Sequence, residues 1–251
     1  MTRAIGIVSG KGGVGKTTLA INIAAALARH YNKRCALVDC NLTTSHVSLY
    51  LGIYNKTTTL NHVLRNERRM DEAVHHHESG MKIIPASLSI SDLDGVDILQ
   101  IKDRIKPLKD QNDVVLLDAA PGLGREAVGA LKACDEVIFV TTPTVLGITD
   151  ILRTNEVCKE LGVPNLGIVL NMVHRDKYEV TRQEVEHITG LPVIASIPFH
   201  DDVRKSLHAK QPVITTHPRS KVSGEIIGLA GRIAGMPYYE RRGFFGRLFG
   251  R

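Results

Sequence analysis

Gly10-Lys11-Gly12-Gly13-Val14-Gly15-Lys16-Thr17 is the stretch whose reading decides the fold. It fits G-x-x-x-x-G-K-[ST], a loop whose glycines let the backbone curl so that its N–H groups converge on phosphate oxygens. An apolar run, Ala4–Val8, leads into it. Beyond it, Leu19, Ile23 and Leu27 recur at i, i+4 and i+8, one helical stripe over Thr17–Arg29. The positive end of that helix adds to the anion site. Lys16 is predicted to reach the β- and γ-phosphates and the Thr17 hydroxyl to ligate Mg²⁺. In a chain of 251 residues a chance match is on the order of a per cent, and the strand–loop–helix context lowers it further. The expected ligand is ATP or ADP with Mg²⁺.

Outward from the loop, short apolar runs alternate with helix-period segments. The runs are Cys35–Val38, ending in Asp39, then Met81–Ile84, Val114–Leu117, ending in Asp118, Val137–Thr141, Leu166–Leu170 and Val193–Ile197. Strands buried on both faces read as continuous apolar runs, and strands alternating with helices imply a parallel sheet with right-handed crossovers. The pattern predicts an α/β fold: seven or eight mostly parallel strands with helices on both faces. In such sheets ligands bind beyond the carboxyl ends of the strands. His75-His76-His77 reads as a solvated surface turn, because adjacent side chains on a helix diverge and do not chelate one ion well.

Composition narrows the class. The chain is 43% hydrophobic, enough for a sizeable core, and carries a net charge of +6, which suits an anionic partner: membrane surface, nucleic acid or nucleotide. No run approaches the ~18–20 apolar residues of a membrane span. Met1-Thr2-Arg3 leads straight into a strand, so no signal peptide is expected and the setting is cytoplasmic. The four cysteines, at 35, 40, 134 and 158, lack C-x-x-C spacing and read as buried thiols. Three of the five Phe lie in the last eight residues, an odd place for core-building side chains.

With the string Lys11-Gly12-Gly13-Val14-Gly15-Lys16-Thr17-Thr18 on the page, the chain resembles the MinD/ParA family of dimerising P-loop ATPases, whose deviant Walker A loop carries an extra lysine. The resemblance spans residues 3 to about 235 and implies that Lys11 reaches across an ATP-dependent homodimer to the partner's nucleotide. A charge supplied in trans can be worth about 10³–10⁵ in rate. Asp118-Ala119-Ala120-Pro121-Gly122 resembles the family's switch II, with Asp118 near magnesium. Asp39 and the polar segment Asn41–Ser48 resemble switch I, which implies a catalytic role for Asp39 and a place beside Thr17 and Asp118 as a magnesium ligand. The family usually shows D-x-D, the second aspartate positioning the attacking water; here Asp39-Cys40-Asn41 places an amide there. An amide orients water but takes no proton, so slow hydrolysis is expected. Asn171 resembles the family's adenine-binding asparagine, and Pro198, Phe199, His200 and Asp201 its second adenine-side loop.

Residues 1–235 are thus read as the ATPase domain and 236–251 as a separate tail. At 100° per residue, Phe244, Phe245, Leu248 and Phe249 fall within an arc of about 140°, with Arg247 and Arg251 just outside it. This is the interfacial amphipathic type, and it resembles the membrane-targeting helix of MinD proteins. Each buried Phe or Leu contributes ~1.5–3 kcal/mol and each Arg near an anionic surface ~1 kcal/mol. Ordering a glycine-rich segment costs ~1–2 kcal/mol per residue, so one tail binds marginally and two tails on a dimer bind far better. The expected protein cycles reversibly between cytoplasm and an anionic membrane surface and positions a protein partner not named by the sequence. The alternatives are a ParA-like partition ATPase on DNA, which needs no such tail, and a flagellar-number regulator, which shares it. An iron–sulfur carrier lacks the required cysteine spacing, and a small-molecule kinase lacks a visible acceptor site.

Overall fold

In the computed structural model, residues 2–54 and 58–236 are described. Eight strands form one sheet: β1 (Arg3–Val8), β2 (Cys35–Cys40), β3 (His75–His76), β4 (Lys82–Ile84), β5 (Val114–Ala119), β6 (Glu136–Thr141), β7 (Asn165–Val173) and β8 (Val193–Pro198). Their order is β3-β4-β2-β5-β1-β6-β7-β8. All neighbouring pairs are parallel except β3 with β4.

The helices are α1 (Lys16–Tyr31), α2 (Val47–Leu51), α3 (Leu60–Leu64), α4 (Ile101–Arg104), α5 (Lys106–Gln111) and α6 (Arg125–Ala133). They continue with α7 (Val145–Glu160), α8 (Arg182–Thr189), α9 (Asp201–His208), α10 (Val213–Thr216) and α11 (Lys221–Ile233). No helix among the described residues is long and apolar enough to cross a membrane.

The sheet divides the core by strand alternation, since successive side chains face opposite ways. Ala4 and Val8 of β1, Val115 and Leu117 of β5, and Val137 and Phe139 of β6 join one apolar layer. Ile5 and Ile7, Val114 and Leu116, and Ile138 and Val140 join the other. Helix α1 is buried far beyond a single stripe: Ala20, Ile21, Ala24, Ala25 and Ala26 are enclosed along with Leu19, Ile23 and Leu27. The reason is α11, which packs beside α1 on the same face of the sheet and also meets β8. There the Tyr31 hydroxyl donates to the Ile227 carbonyl at 2.8 Å, and a Cβ on Gly231 would sit 2.5 Å from that hydroxyl.

Three sequence expectations need correction. His75 and His76 are not a turn but a short edge strand, antiparallel to β4 through His75↔Ile83 and His76↔Lys82. Two polar residues on an edge leave no apolar run to read. The strand read over Leu166–Leu170 does not stop before Asn171: β7 continues through it to Val173, carried past a left-handed Met172 (φ 57°). Asp201 begins α9 instead of continuing a loop, with His200 as N-cap. The four thiols are buried and unpaired, as expected. The amphipathic tail with Phe244, Phe245, Arg247, Leu248, Phe249 and Arg251 lies outside the described residues.

Candidate functional site

A cleft of about 460 Å³ opens at the carboxyl ends of the strands, and the Gly10–Thr17 loop forms its floor. Gly13 (φ 81°) and Gly15 (φ 83°) take left-handed backbone, which costs other residues most. At Gly15 a Cβ would also collide with Asn171 Nδ2. At Gly12 a Cβ would meet no protein atom within 4 Å, so cleft space and not packing favours glycine there. Ser9 Oγ donates to the Lys11 carbonyl at 2.9 Å. On the other side, the Gly122 N–H donates to Ser9 O at 2.9 Å, tying the turn after β5 to the loop. Lys11, Val14, Thr17 and Thr18 line the cleft with the glycines and Pro121.

Under the loop lies a buried charge cluster. Lys16 Nζ sits 2.9 Å from Asp118 Oδ1, with both side chains almost fully enclosed. Strand register puts Asp39 of β2 beside Asp118 of β5. Two adjacent buried carboxylates with one cation favour a proton on the pair. Burial first, and the Asp118 charge second, push the Asp39 carboxyl up to about 7. Asp118 Oδ2 is buried without a hydrogen-bond partner. An enclosed carboxylate oxygen with a free lone pair, beneath a loop bearing the Thr17 hydroxyl, is a donor set suited to a hard divalent cation. Asp39 is differently occupied. Its Oδ1 accepts from the Asn41 N–H at 3.1 Å, and its Oδ2 from Ser45 Oγ at 2.7 Å and the Val47 N–H at 3.4 Å. In this conformation Asp39 shapes the segment that follows it more than it offers oxygens to a metal.

Asn41 reaches the cleft wall, but its amide is engaged with Thr44. Asn41 Nδ2 donates to Thr44 O at 2.7 Å, and Thr44 Oγ1 donates to Asn41 Oδ1 at 3.0 Å. From the neighbouring α6, the Glu126 carboxylate accepts from the Leu42 N–H at 3.1 Å, the Thr43 N–H at 3.4 Å and the Thr43 hydroxyl.

On the opposite wall, Asn171 Nδ2 donates to the Val14 carbonyl at 2.8 Å, fastening β7 to the phosphate loop. Pro198, Phe199 and His200 line the same side. Phe199 is stacked on His174, with centroids 4.6 Å apart, and His200 Nδ1 accepts from the Asp202 N–H at 3.2 Å. Asp201 does not join the walls: it faces solvent and pairs with Arg204 at 3.5 Å. Behind these residues the cleft is apolar, walled by Val203 and Leu207 of α9, Val213 of α10 and Ile226 of α11. Sequence reasoning missed this wall and Glu126. Both come from helices folded back across the chain, and neither has a contiguous motif; an acid in a helix's first turn reads only as a partner for the helix dipole.

Residues 5–213 match the family model described as the CobQ/CobB/MinD/ParA nucleotide binding domain. The chain belongs to this family. An uncharacterized ATP-binding protein of Methanocaldococcus jannaschii is 34% identical over 94% of this chain and 89% of its own length. The cell division ATPase MinD of Pyrococcus furiosus superposes with a TM-score of 0.90 at 31% identity, covering 94% of this chain and 99% of that one. The septum site-determining protein MinD of Pyrococcus horikoshii, solved with Mg-ADP, gives 0.89 at 31% identity over 93% and 96%. In a CobQ/CobB/MinD/ParA domain, the loop, the buried Lys16–Asp118 pair and the adjoining apolar wall form a cleft built for a nucleotide.

Proposed function

We propose that this chain is an ATP-hydrolysing dimerisation switch of the MinD type, cycling between solution and an anionic membrane surface. The observation that carries this reading is the Lys16–Asp118 pair at 2.9 Å, with Asp118 Oδ2 unpartnered beneath the glycine loop. Phosphates in the loop would give Lys16 a stronger partner, and Asp118 with the Thr17 hydroxyl would then be the residues that hold a magnesium ion. Such an ion would supply charge neutralisation at the phosphates, while the loop, Lys16 and Thr17 supply the positioning and electrostatics on which phosphoryl transfer mostly depends. Asn171, Pro198, Phe199 and His200 provide the base-side wall.

Lys11 supports the dimer. It lines the cleft and, among the described residues, makes no ion pair within its own chain. Exposed Leu123, Val145 and Leu146 stand beyond the carboxyl ends of β5 and β6, the same edge of the sheet. A second copy meeting that edge covers these apolar residues and brings each Lys11 to the other's nucleotide. Asn41, committed to Thr44 in this conformation, must exchange that partner to orient water, which fits slow turnover. Gel filtration with Mg-ATP and with Mg-ADP tests the dimer. A doubling of apparent mass with ATP alone, lost in Lys11→Ala, is expected; an unchanged monomer in ATP contradicts the reading.

The process being positioned is division-site placement or a related spatial task, exercised through a protein partner. DNA partition is the competing reading, favoured by the net charge of +6. Retention of the chain on duplex DNA in ATP, with none on vesicles, would select it.

A further inference from the structure

The segment after β2 is held from two sides by two carboxylates. Asp39 takes residues 41, 45 and 47 from below. The stretch between, Leu42–Thr43, is taken by Glu126, 83 to 84 residues further on. Glu126 occupies the first turn of α6, directly after the turn that carries Pro121 and Gly122. An acid in that position ordinarily faces its own helix's free N–H groups. Here its three bonds all run to the other segment, and the N-cap of α6 is Gly124, which offers no side-chain cap.

We infer that Glu126 is a positioning residue that latches switch I to switch II, so that movement of the Asp118–Gly122 turn is transmitted to Asn41 and Thr44 at the cleft wall. The inference rests on the nucleotide-switch reading above. Its geometry is specific. Oε2 accepts both backbone N–H groups, while Oε1 accepts the Thr43 hydroxyl. A glutamine reproduces this pattern, because its carbonyl accepts the two N–H groups and its NH₂ donates to a rotated Thr43 hydroxyl. An aspartate is one methylene short, and an alanine has nothing to offer.

Full-length wild type, Glu126→Ala, Glu126→Gln and Glu126→Asp are compared in steady-state Mg-ATP hydrolysis and in amide exchange at Leu42 and Thr43. Loss of the charge-assisted contact is expected to lower kcat of Glu126→Ala about 10- to 100-fold, with KM changed by less than about threefold because the phosphate loop is untouched. The two amides should exchange faster by a similar factor. Glu126→Gln should recover both readouts to within a few-fold, and Glu126→Asp neither. A merely structural role lowers the melting temperature without this split or the glutamine rescue. Unchanged kcat and exchange in Glu126→Ala, or glutamine behaving like alanine, would overturn the latch. Wild type that hydrolyses no ATP would sink the enzymatic reading alone, and the latch would then stand or fall on amide exchange.

Discussion

Asp39 illustrates how one residue ties stability to the ligand. Its carboxyl, ordinarily near 3.8, is pushed up to about 7 by burial and by the Asp118 charge. The folded state therefore binds a proton that the unfolded chain releases, and between pH 4 and 7 this group's contribution to stability falls as pH rises. Above pH 7 the ligand-free chain bears the full cost of the ionised pair. Asp39→Asn removes the titration, so its melting temperature relative to wild type should climb as pH is raised from 5 to 8. The gain is on the order of 5–10 °C, since about two pH units of linkage at ~1.4 kcal/mol each act on a chain whose midpoint moves by roughly 2–4 °C per kcal/mol. Melting curves across that range, without nucleotide, check it; a difference independent of pH would contradict the assignment. Lys16→Ala removes the cation from the same cluster. It should weaken Mg-ATP binding by about 100-fold or more, the scale for breaking a buried charge pair, as measured by calorimetry. Lys16, Asp39 and Asp118 were legible in sequence because each stands at the end of an apolar run or in a contiguous motif. Glu126 was not, because its partners are distant in the chain and acquire meaning only once α6 packs beside the loop after β2.

At the scale of elements, seven of the strands could be read from continuous apolar runs, a direct consequence of helices covering both faces of the sheet. The remaining one, His75–His76, is polar and two residues long, so it carries no burial signal. Helix α1 looked amphipathic from Leu19, Ile23 and Leu27, yet its alanine-rich side is covered by α11, and that contact depends on small residues such as Gly231. Gly6 plays a similar role between β1 and α6. A Cβ there would lie 2.6 Å from Cys134 Sγ and 3.1 Å from Val137 Cγ1. Gly6→Ala should therefore destabilise by about 1–3 kcal/mol, the range for overpacking a filled core. Adding Cys134→Ala removes the sulfur and should recover most of the loss in denaturant melts. If the double variant is no more stable than Gly6→Ala, the collision with Cys134 is not the cause.

Across the whole molecule, the nucleotide loop and the end of the last described helix lie at opposite ends of the sheet. The nucleotide loop, Lys11 and exposed Leu123, Val145 and Leu146 stand beyond the strands' carboxyl ends. Helix α11 finishes near the start of β1, where Arg3 Nη1 donates to the Ile233 carbonyl at 2.8 Å. The last described residues, Gly235 and Met236, thus lie at the end of the sheet away from the cleft. Sequence alone did not indicate this separation, which follows from α11 running alongside α1 in the same direction, from the cleft to the far end of the sheet. The most direct test is co-sedimentation with vesicles containing anionic lipid, comparing Mg-ATP with Mg-ADP and the full chain with one ending at Gly235. Binding in ATP, weak in ADP and lost on truncation, is the expected result. Equal binding in both nucleotides, or binding that survives removal of the tail, would contradict a membrane switch driven by dimerisation.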